Sequence, residues 1–140
     1  MRRLIGGLAG LGLIAGTGSV IYNHHGGATV QIKGPNGQVH NVHLDFGKQH
    51  YSCPSGEEAK LNPLLVRQGR IKLTLNGVAH ELHLVEQKYP GRKALKSAPT
   101  HVLVQVCADL KRGDRLAKAY SAAVKEYNAT LNRDCSPSSG

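Results

Sequence analysis

The sequence predicts a mainly α-helical protein. An N-terminal transmembrane or signal helix and a short β-hairpin are expected to precede a disulfide-clamped, antiparallel two-helix coiled-coil hairpin. Three observations predict this fold: an uncharged N-terminal run, two long stretches with heptad spacing, and two cysteines that fall opposite each other when those stretches are paired. We divide the chain into a signal anchor or signal peptide (1–22), a linker and β-hairpin (23–50), the helical hairpin (51–136) and a disordered tail (137–140). The length of 140 residues fits one small domain, and an aromatic content of only 4% argues for a thin core.

The N-terminal segment decides the expected compartment. Arg2 and Arg3 precede a run without any charged residue, Leu4–Tyr22, which is close to the ~20 residues that a helix needs to cross a bilayer. The two arginines mark the cytoplasmic end, so residues 23–140 are expected outside the cytoplasm. We favour a retained membrane anchor over residues 4–22. The alternative is a cleaved signal peptide and a secreted protein, with small residues for the peptidase at Ala15, Gly16, Thr17 and Gly18.

A β-hairpin is predicted over about 28–46. Apolar and polar residues alternate on both sides of a strong turn signal, Gly34–Gly37, and the second alternating stretch ends at Phe46. An isolated hairpin is marginal in water, so its apolar face needs a surface. The outer face of the following helix, around Val66 and Leu73, offers that surface, and a second copy of the chain is the alternative. We expect the hairpin to pack on the helix.

From Leu61 onward the apolar residues follow heptad spacing, which is typical of a coiled-coil seam. The first predicted seam is Leu61, Leu64, Gln68, Ile71, Leu75, Val78, Leu82, Val85 and Tyr89. The second is Leu103, Val106, Leu110, Gly113, Ala117, Tyr120, Val124, Tyr127 and Leu131. Asn62–Pro63 predicts the first helical turn, because asparagine is a good N-cap and proline suits the first helical position. A start one turn earlier, over 55–58, is the alternative, and Pro90–Gly91 predicts the end of this helix.

The two arms are expected to fold against each other. The loop between them, 90–98, is short enough to make the helices antiparallel. The register that pairs the two seams also places Cys53 opposite Cys135, although the cysteines did not enter the choice of register. We therefore predict a Cys53–Cys135 disulfide at the open end of the hairpin, where the seam is apolar on one side only. Cys107 is expected to stay reduced as a small hydrophobic residue, with an intermolecular disulfide as the alternative.

The residues carry no recognisable catalytic signal. The sequence has no nucleophile elbow, no phosphate-binding loop and no cysteine or histidine spacing typical of a zinc site. The eight histidines are interpreted as solvated surface residues. We expect no catalysis, no cofactor and no metal.

A basic cluster at the hairpin tip is the best functional hint. No acidic residue occurs between Glu86 and Asp109, and the tip could contact an anionic polymer such as teichoic acid, or a lipid surface. Nucleic acid is disfavoured because the domain is expected outside the cytoplasm and has few aromatic residues for base stacking. The expected function is a membrane-anchored structural or interaction module of the cell envelope that has a protein partner or self-associates. The alternative is a secreted or anchored binding protein for anionic envelope polymers. The cluster consists of Lys88, Arg92, Lys93 and Lys96.

Four short motifs carry a resemblance to a protein family. They are the opening Tyr51–Gly56, the stretch Gly69–Leu73, the pair Tyr89–Pro90 and the ending Tyr127–Cys135. Over roughly residues 50–136 the chain resembles uncharacterised small exported or membrane-anchored proteins of actinobacteria and their phages. The resemblance implies an N-terminally anchored or secreted α-helical protein, and it implies no catalytic residue.

Overall fold

A computed structural model describes residues 17–22, 27–45 and 50–138. It consists of a small antiparallel sheet packed on one side of a long helical hairpin. The strands are β1 (Thr17–Tyr22), β2 (Gly27–Lys33), β3 (Val39–Asp45), β4 (His50–Ser52) and β5 (Ser136–Ser138), and the helices are α1 (Glu58–Lys88), α2 (Gly91–Lys96) and α3 (Thr100–Asp134).

The predicted β-hairpin is confirmed as β2 and β3. The two strands pair antiparallel from Gly27 opposite Asp45 to Lys33 opposite Val39. The predicted turn closes them, since the Gly34 N–H donates to the Gln38 carbonyl at 2.8 Å. Phe46, which we expected on the apolar face, lies outside the described residues. The buried side chains of this face are Ala28, Val30, Ile32, Val42 and Leu44.

The sheet has a third strand that the sequence analysis missed. Thr17–Tyr22 forms β1, which pairs antiparallel with β2 and lies at the edge of the sheet. The prediction of a helix that continues to Tyr22 is therefore wrong for these residues, whose β-branched and aromatic side chains at 20–22 favour a strand. The rest of the predicted anchor, 4–16, lies outside the described residues. None of the helices in the described ranges is long and apolar enough to cross a bilayer.

The sheet packs on the outer face of α1, as expected. Leu65 is fully buried in the cluster that contains the inward residues of β2 and β3, and Val66 and Leu73 pack against the same cluster. Gly69 lets the strand approach the helix closely: a Cβ at this position would lie 2.8 Å from Val30 Cγ1. The helix therefore buries one face against the sheet and another against α3.

Helix α1 begins one turn before the position that Asn62–Pro63 predicts. It starts at Glu58, close to the alternative start, but the capping residue Glu57 makes no side-chain cap hydrogen bond, and Pro63 lies inside the helix. The predicted end is confirmed, because α1 ends at Lys88 and Gly91 adopts a φ of 84°. The expected loop contains the short helix α2.

The antiparallel pairing of α1 and α3 agrees with the prediction, but α3 is rotated. The predicted seam of α1 is buried or half-buried up to Val85. On α3, Leu110 is 56% exposed and Ala117 is also exposed, whereas Asp109 and Leu116 are buried. At every second seam position of α3, the residue that faces α1 is therefore the one immediately before the predicted residue. As a result the large Leu116 is buried in place of an alanine. The shifted positions are Asp109, Leu116 and Ala123, whereas near the end of the helix the predicted Leu131 and its neighbour Thr130 are both buried.

The C-terminal residues also differ from expectation. Ser136–Ser138 pairs antiparallel with His50–Ser52, so part of the expected tail 137–140 belongs to a two-stranded sheet. Residues 139–140 lie outside the described residues. This small sheet joins the two chain segments that enter and leave the helical hairpin.

Candidate functional site

The open end of the hairpin is closed by the predicted disulfide. Cys53 and Cys135 are bonded, with their Cα atoms 4.4 Å apart and a sequence separation of 82. Cys135 is buried in the same cluster as the sheet residues. Cys107 is a free thiol, but it is exposed rather than packed as a small hydrophobic residue.

A pair of carboxyl groups lies beside the disulfide. Glu57 is buried, and its carboxyl is hydrogen-bonded to Asp134 on the other helix. The Arg133 side chain donates to both oxygens of Asp134, at 3.0 and 3.2 Å. The hydrogen bond from Arg133, followed by that from Glu57, lowers the pKa of Asp134 to about 2. Burial, followed by the hydrogen bond to Asp134, raises the pKa of Glu57.

Tyrosines pack between the sheet and the open end. Tyr127 is buried, and burial together with the neighbouring phenols of Tyr22 and Tyr51 raises its pKa to about 12. The Tyr51 hydroxyl donates to Asn132 Oδ1 at 3.1 Å. These contacts connect strand β4 to α3, so the open end is held by side chains as well as by the disulfide.

A second carboxyl pair joins the helices nearer the tip. Asp109 is only 3% exposed, and its Oδ1 accepts a hydrogen bond from Gln105 Nε2 at 2.9 Å. Partial burial, followed by the charge of Asp109 and a hydrogen bond to it, raises the pKa of Glu81 on α1. Arg112 and His80 act in the opposite direction. This contact was not predicted, because the predicted seam contained Leu110 and not Asp109.

The predicted basic cluster is exposed at the tip. Lys88 ends α1, and the other three members lie on α2, so the connection brings all four onto consecutive turns of the chain. The Lys88 ammonium lies 5.8 Å from the centre of the Tyr89 ring, within the range of a cation–π contact. Nearby, Ala98 is the buried apolar residue of the connection. The tip can present several positive charges to one anionic partner. The four residues of the basic cluster are Lys88, Arg92, Lys93 and Lys96.

A groove between β1 and α1 was not foreseen. It encloses about 680 Å³ and is lined by apolar residues of both elements together with Arg67 and Arg70. The sequence signal that could have found it is the pair of arginines three residues apart on one helix face, next to an unrecognised strand. In the part of the chain that the structure describes, no group of three or more histidine, cysteine or acidic side chains could hold a metal ion.

Comparison of the chain with protein-family models, with curated proteins and with solved structures found no match. The class of protein is therefore defined by its own fold: a disulfide-closed antiparallel helical hairpin with a three-stranded sheet on one face. Its candidate sites are the basic tip and the groove at the sheet edge.

Proposed function

We propose that this protein is a non-catalytic structural or interaction module of the cell envelope, which acts outside the cytoplasm. The observation that carries the proposal is the Cys53–Cys135 disulfide, because structural disulfides form and persist in oxidising compartments. The N-terminal sequence supports it, since Arg2 and Arg3 precede a run of uncharged residues.

The shape of the hairpin supports an interaction role. Helices of 31 and 35 residues are about 45–55 Å long at 1.5 Å per residue, so they present an extended surface. Large apolar side chains remain exposed along it at Leu84, Val104 and Leu110. A hairpin of this length separates the two candidate sites, the basic tip and the groove at the sheet edge.

The location is tested with a reporter at the C-terminus. Full-length chain fused to alkaline phosphatase, which is active only after export, should give active enzyme in a bacterial host. In the same cells, Cys53 and Cys135 should resist alkylation while Cys107 is modified. A deletion of residues 4–16 is the matched control and should leave the phosphatase inactive and all three thiols reduced. An inactive full-length fusion with three reactive thiols would contradict the proposal, and the mass of the mature N-terminus distinguishes an anchored from a secreted chain.

A second candidate function is the binding of anionic envelope polymers through the tip. The exposure of all four basic residues on consecutive turns favours it. Full-length protein should bind a polyphosphate column at low salt and elute as the salt rises, because exposed charges are screened. Replacement of Arg92, Lys93 and Lys96 by glutamine should abolish retention.

The control for the tip variant removes the same charge elsewhere. Lys111, Lys118 and Lys125 lie on the exposed side of α3, and their replacement by glutamine should leave most of the retention intact. Equal loss in the two triple variants would mean that binding follows net charge and not the tip.

A further inference from the structure

One edge of the three-stranded sheet is open in the part of the chain that the structure describes. The strand order is β1-β2-β3, so β1 pairs with β2 on one side and with no described strand on the other. An edge strand presents a row of backbone N–H and C=O groups that can pair with another extended chain. On the opposite edge, the Lys72 ammonium donates to the His43 carbonyl of β3 at 2.6 Å.

Beside the open edge, helix α1 continues past the sheet and forms the floor of the groove. Gly18 and Val20 of β1 and Val66 of α1 line its apolar part. The strand lies very close to the helix here, since a Cβ at Gly18 would fall 2.6 Å from Val66 Cγ1. An extended segment in this groove could pair with β1 through its backbone and place every second side chain on the helix.

The polar wall of the groove is basic. Arg70 is partly buried, and its Nε has no hydrogen-bond partner among the described residues. Arg70 lines the groove, so its guanidinium group can donate to an acceptor that enters it. Arg67 stands one turn away, and its Nη1 lies 3.1 Å from Glu126 Oε2 of α3. The wall therefore favours a carboxylate, which accepts charge-assisted hydrogen bonds from guanidinium groups.

We propose that the groove binds an extended acidic segment of a partner protein, which pairs with the edge of β1 that faces away from β2 and places a carboxylate on Arg70. This inference deepens the proposed interaction function and rests on it for the presence of a partner. Two other occupants lack the required charge. Residues 1–16 of this chain contain two arginines and no acidic residue, and the β1 strand of a second copy contains no acidic residue either.

The test uses purified full-length protein and a fluorescein-labelled peptide in which valine and glutamate alternate four times. Fluorescence anisotropy should show saturable binding. Arg70→Gln should weaken it roughly 10–100-fold, the usual contribution of a hydrogen bond to a charged group. Arg115→Gln, on the exposed side of α3, removes the same charge and should leave the affinity within about twofold of the wild type, since exposed charges contribute little.

Two altered peptides keep the test independent of the folding of the variants. A peptide with N-methyl groups on alternate backbone amides keeps its charge but loses donors for strand pairing, so its binding should be lost. A peptide of alternating valine and lysine should not bind. Each of these results supports addition of an acidic strand to β1.

Four outcomes would overturn the proposal: no saturable binding of the glutamate peptide, equal binding of the N-methylated peptide, equal effects of the two arginine variants, or binding only by a chain that starts at residue 17. The last result would mean that the chain's own N-terminal segment covers the groove. None of these outcomes bears on the export of the reporter fusion, so failure of this inference and failure of the proposed function are distinguishable.

Discussion

Substitution of Gly69 by alanine tests whether the sheet packs on α1 as closely as the structure shows. The new Cβ would lie 2.8 Å from Val30 Cγ1 and 2.9 Å from Val30 Cβ, and both residues are buried. Overpacking of this kind costs about 1–3 kcal/mol. Alanine also improves helix propensity by about 1 kcal/mol relative to glycine. We therefore expect Gly69→Ala to lower the free energy of unfolding by about 0–2 kcal/mol.

The matched control lies two turns further along the same helix. Gly77 is exposed, and a Cβ there would meet no atom within 4 Å, so Gly77→Ala should raise stability by about 1 kcal/mol through helix propensity alone. The difference between the two variants isolates the contact with the sheet and should be about 1–3 kcal/mol. It is measured by urea unfolding followed by circular dichroism, with the disulfide intact. If both alanines stabilise the protein equally, the sheet does not pack on this face of α1.

Three further predictions concern the clamp, the seam and pH. Reduction of the disulfide should lower the free energy of unfolding by about 4–5 kcal/mol on the chain-entropy model, because the bond closes a long loop. Cys107→Ser should change the free energy of unfolding little. Equal effects of the two changes would contradict the Cys53–Cys135 pairing. In the same unfolding assay, Leu116→Ala should lower the free energy of unfolding by about 2–5 kcal/mol and Leu110→Ala by about 0.5 kcal/mol or less, because only Leu116 is buried. The reverse order would mean that Leu110 lies in the seam, as the sequence predicted. Burial, followed by the charge of Asp109, raises the pKa of Glu81, so protonated Glu81 contributes its stability fully below the ordinary value of 4.5 and loses it as the pH rises through the folded-state pKa. Glu81→Gln should therefore reduce the fall in the free energy of unfolding over that pH range, and a pH dependence equal to that of the wild type would show that the pKa of Glu81 is not raised.

The heptad pattern predicted the antiparallel hairpin but not the rotation of α3. From Val106 onward, spacings of three and four residues can alternate in either order, and both orders include Val106, Gly113, Tyr120 and Tyr127. The other positions differ by one residue, and only packing against α1 selects Leu116 over its neighbour. A shift of one residue moves a side chain by about 1.5 Å along the helix axis. The prediction that Cys53 pairs with Cys135 is therefore correct, although the predicted seam of α3 is wrong by one residue at some positions.

The edge strand β1 was beyond the reach of the sequence argument for a different reason. Its residues end an uncharged run that begins at Leu4, and periodicity cannot separate the last turn of an apolar helix from a short strand. The pairing with β2 decides between them, and it joins residues that are 6 to 16 positions apart in sequence, such as Val20 and Val30. The groove was not predicted because it forms only where this strand meets α1, so the arginine pair on α1 indicates a site only once the strand is recognised.

The distribution of the core changes the interpretation of the disulfide. The predicted role of the bond was to hold the open end of a thin two-helix seam, which would otherwise fray there. In the structure this end is the thickest part of the described molecule, since the sheet, Tyr127, Leu131 and Cys135 form one buried cluster. The second cluster lies along the middle of the hairpin, around Ile71 and Leu116. Because the packed sheet already opposes fraying, the disulfide acts mainly by restricting the unfolded chain. The basic tip lies outside both buried clusters and at the end of the hairpin away from the disulfide, so less apolar packing opposes its local opening than at the other end.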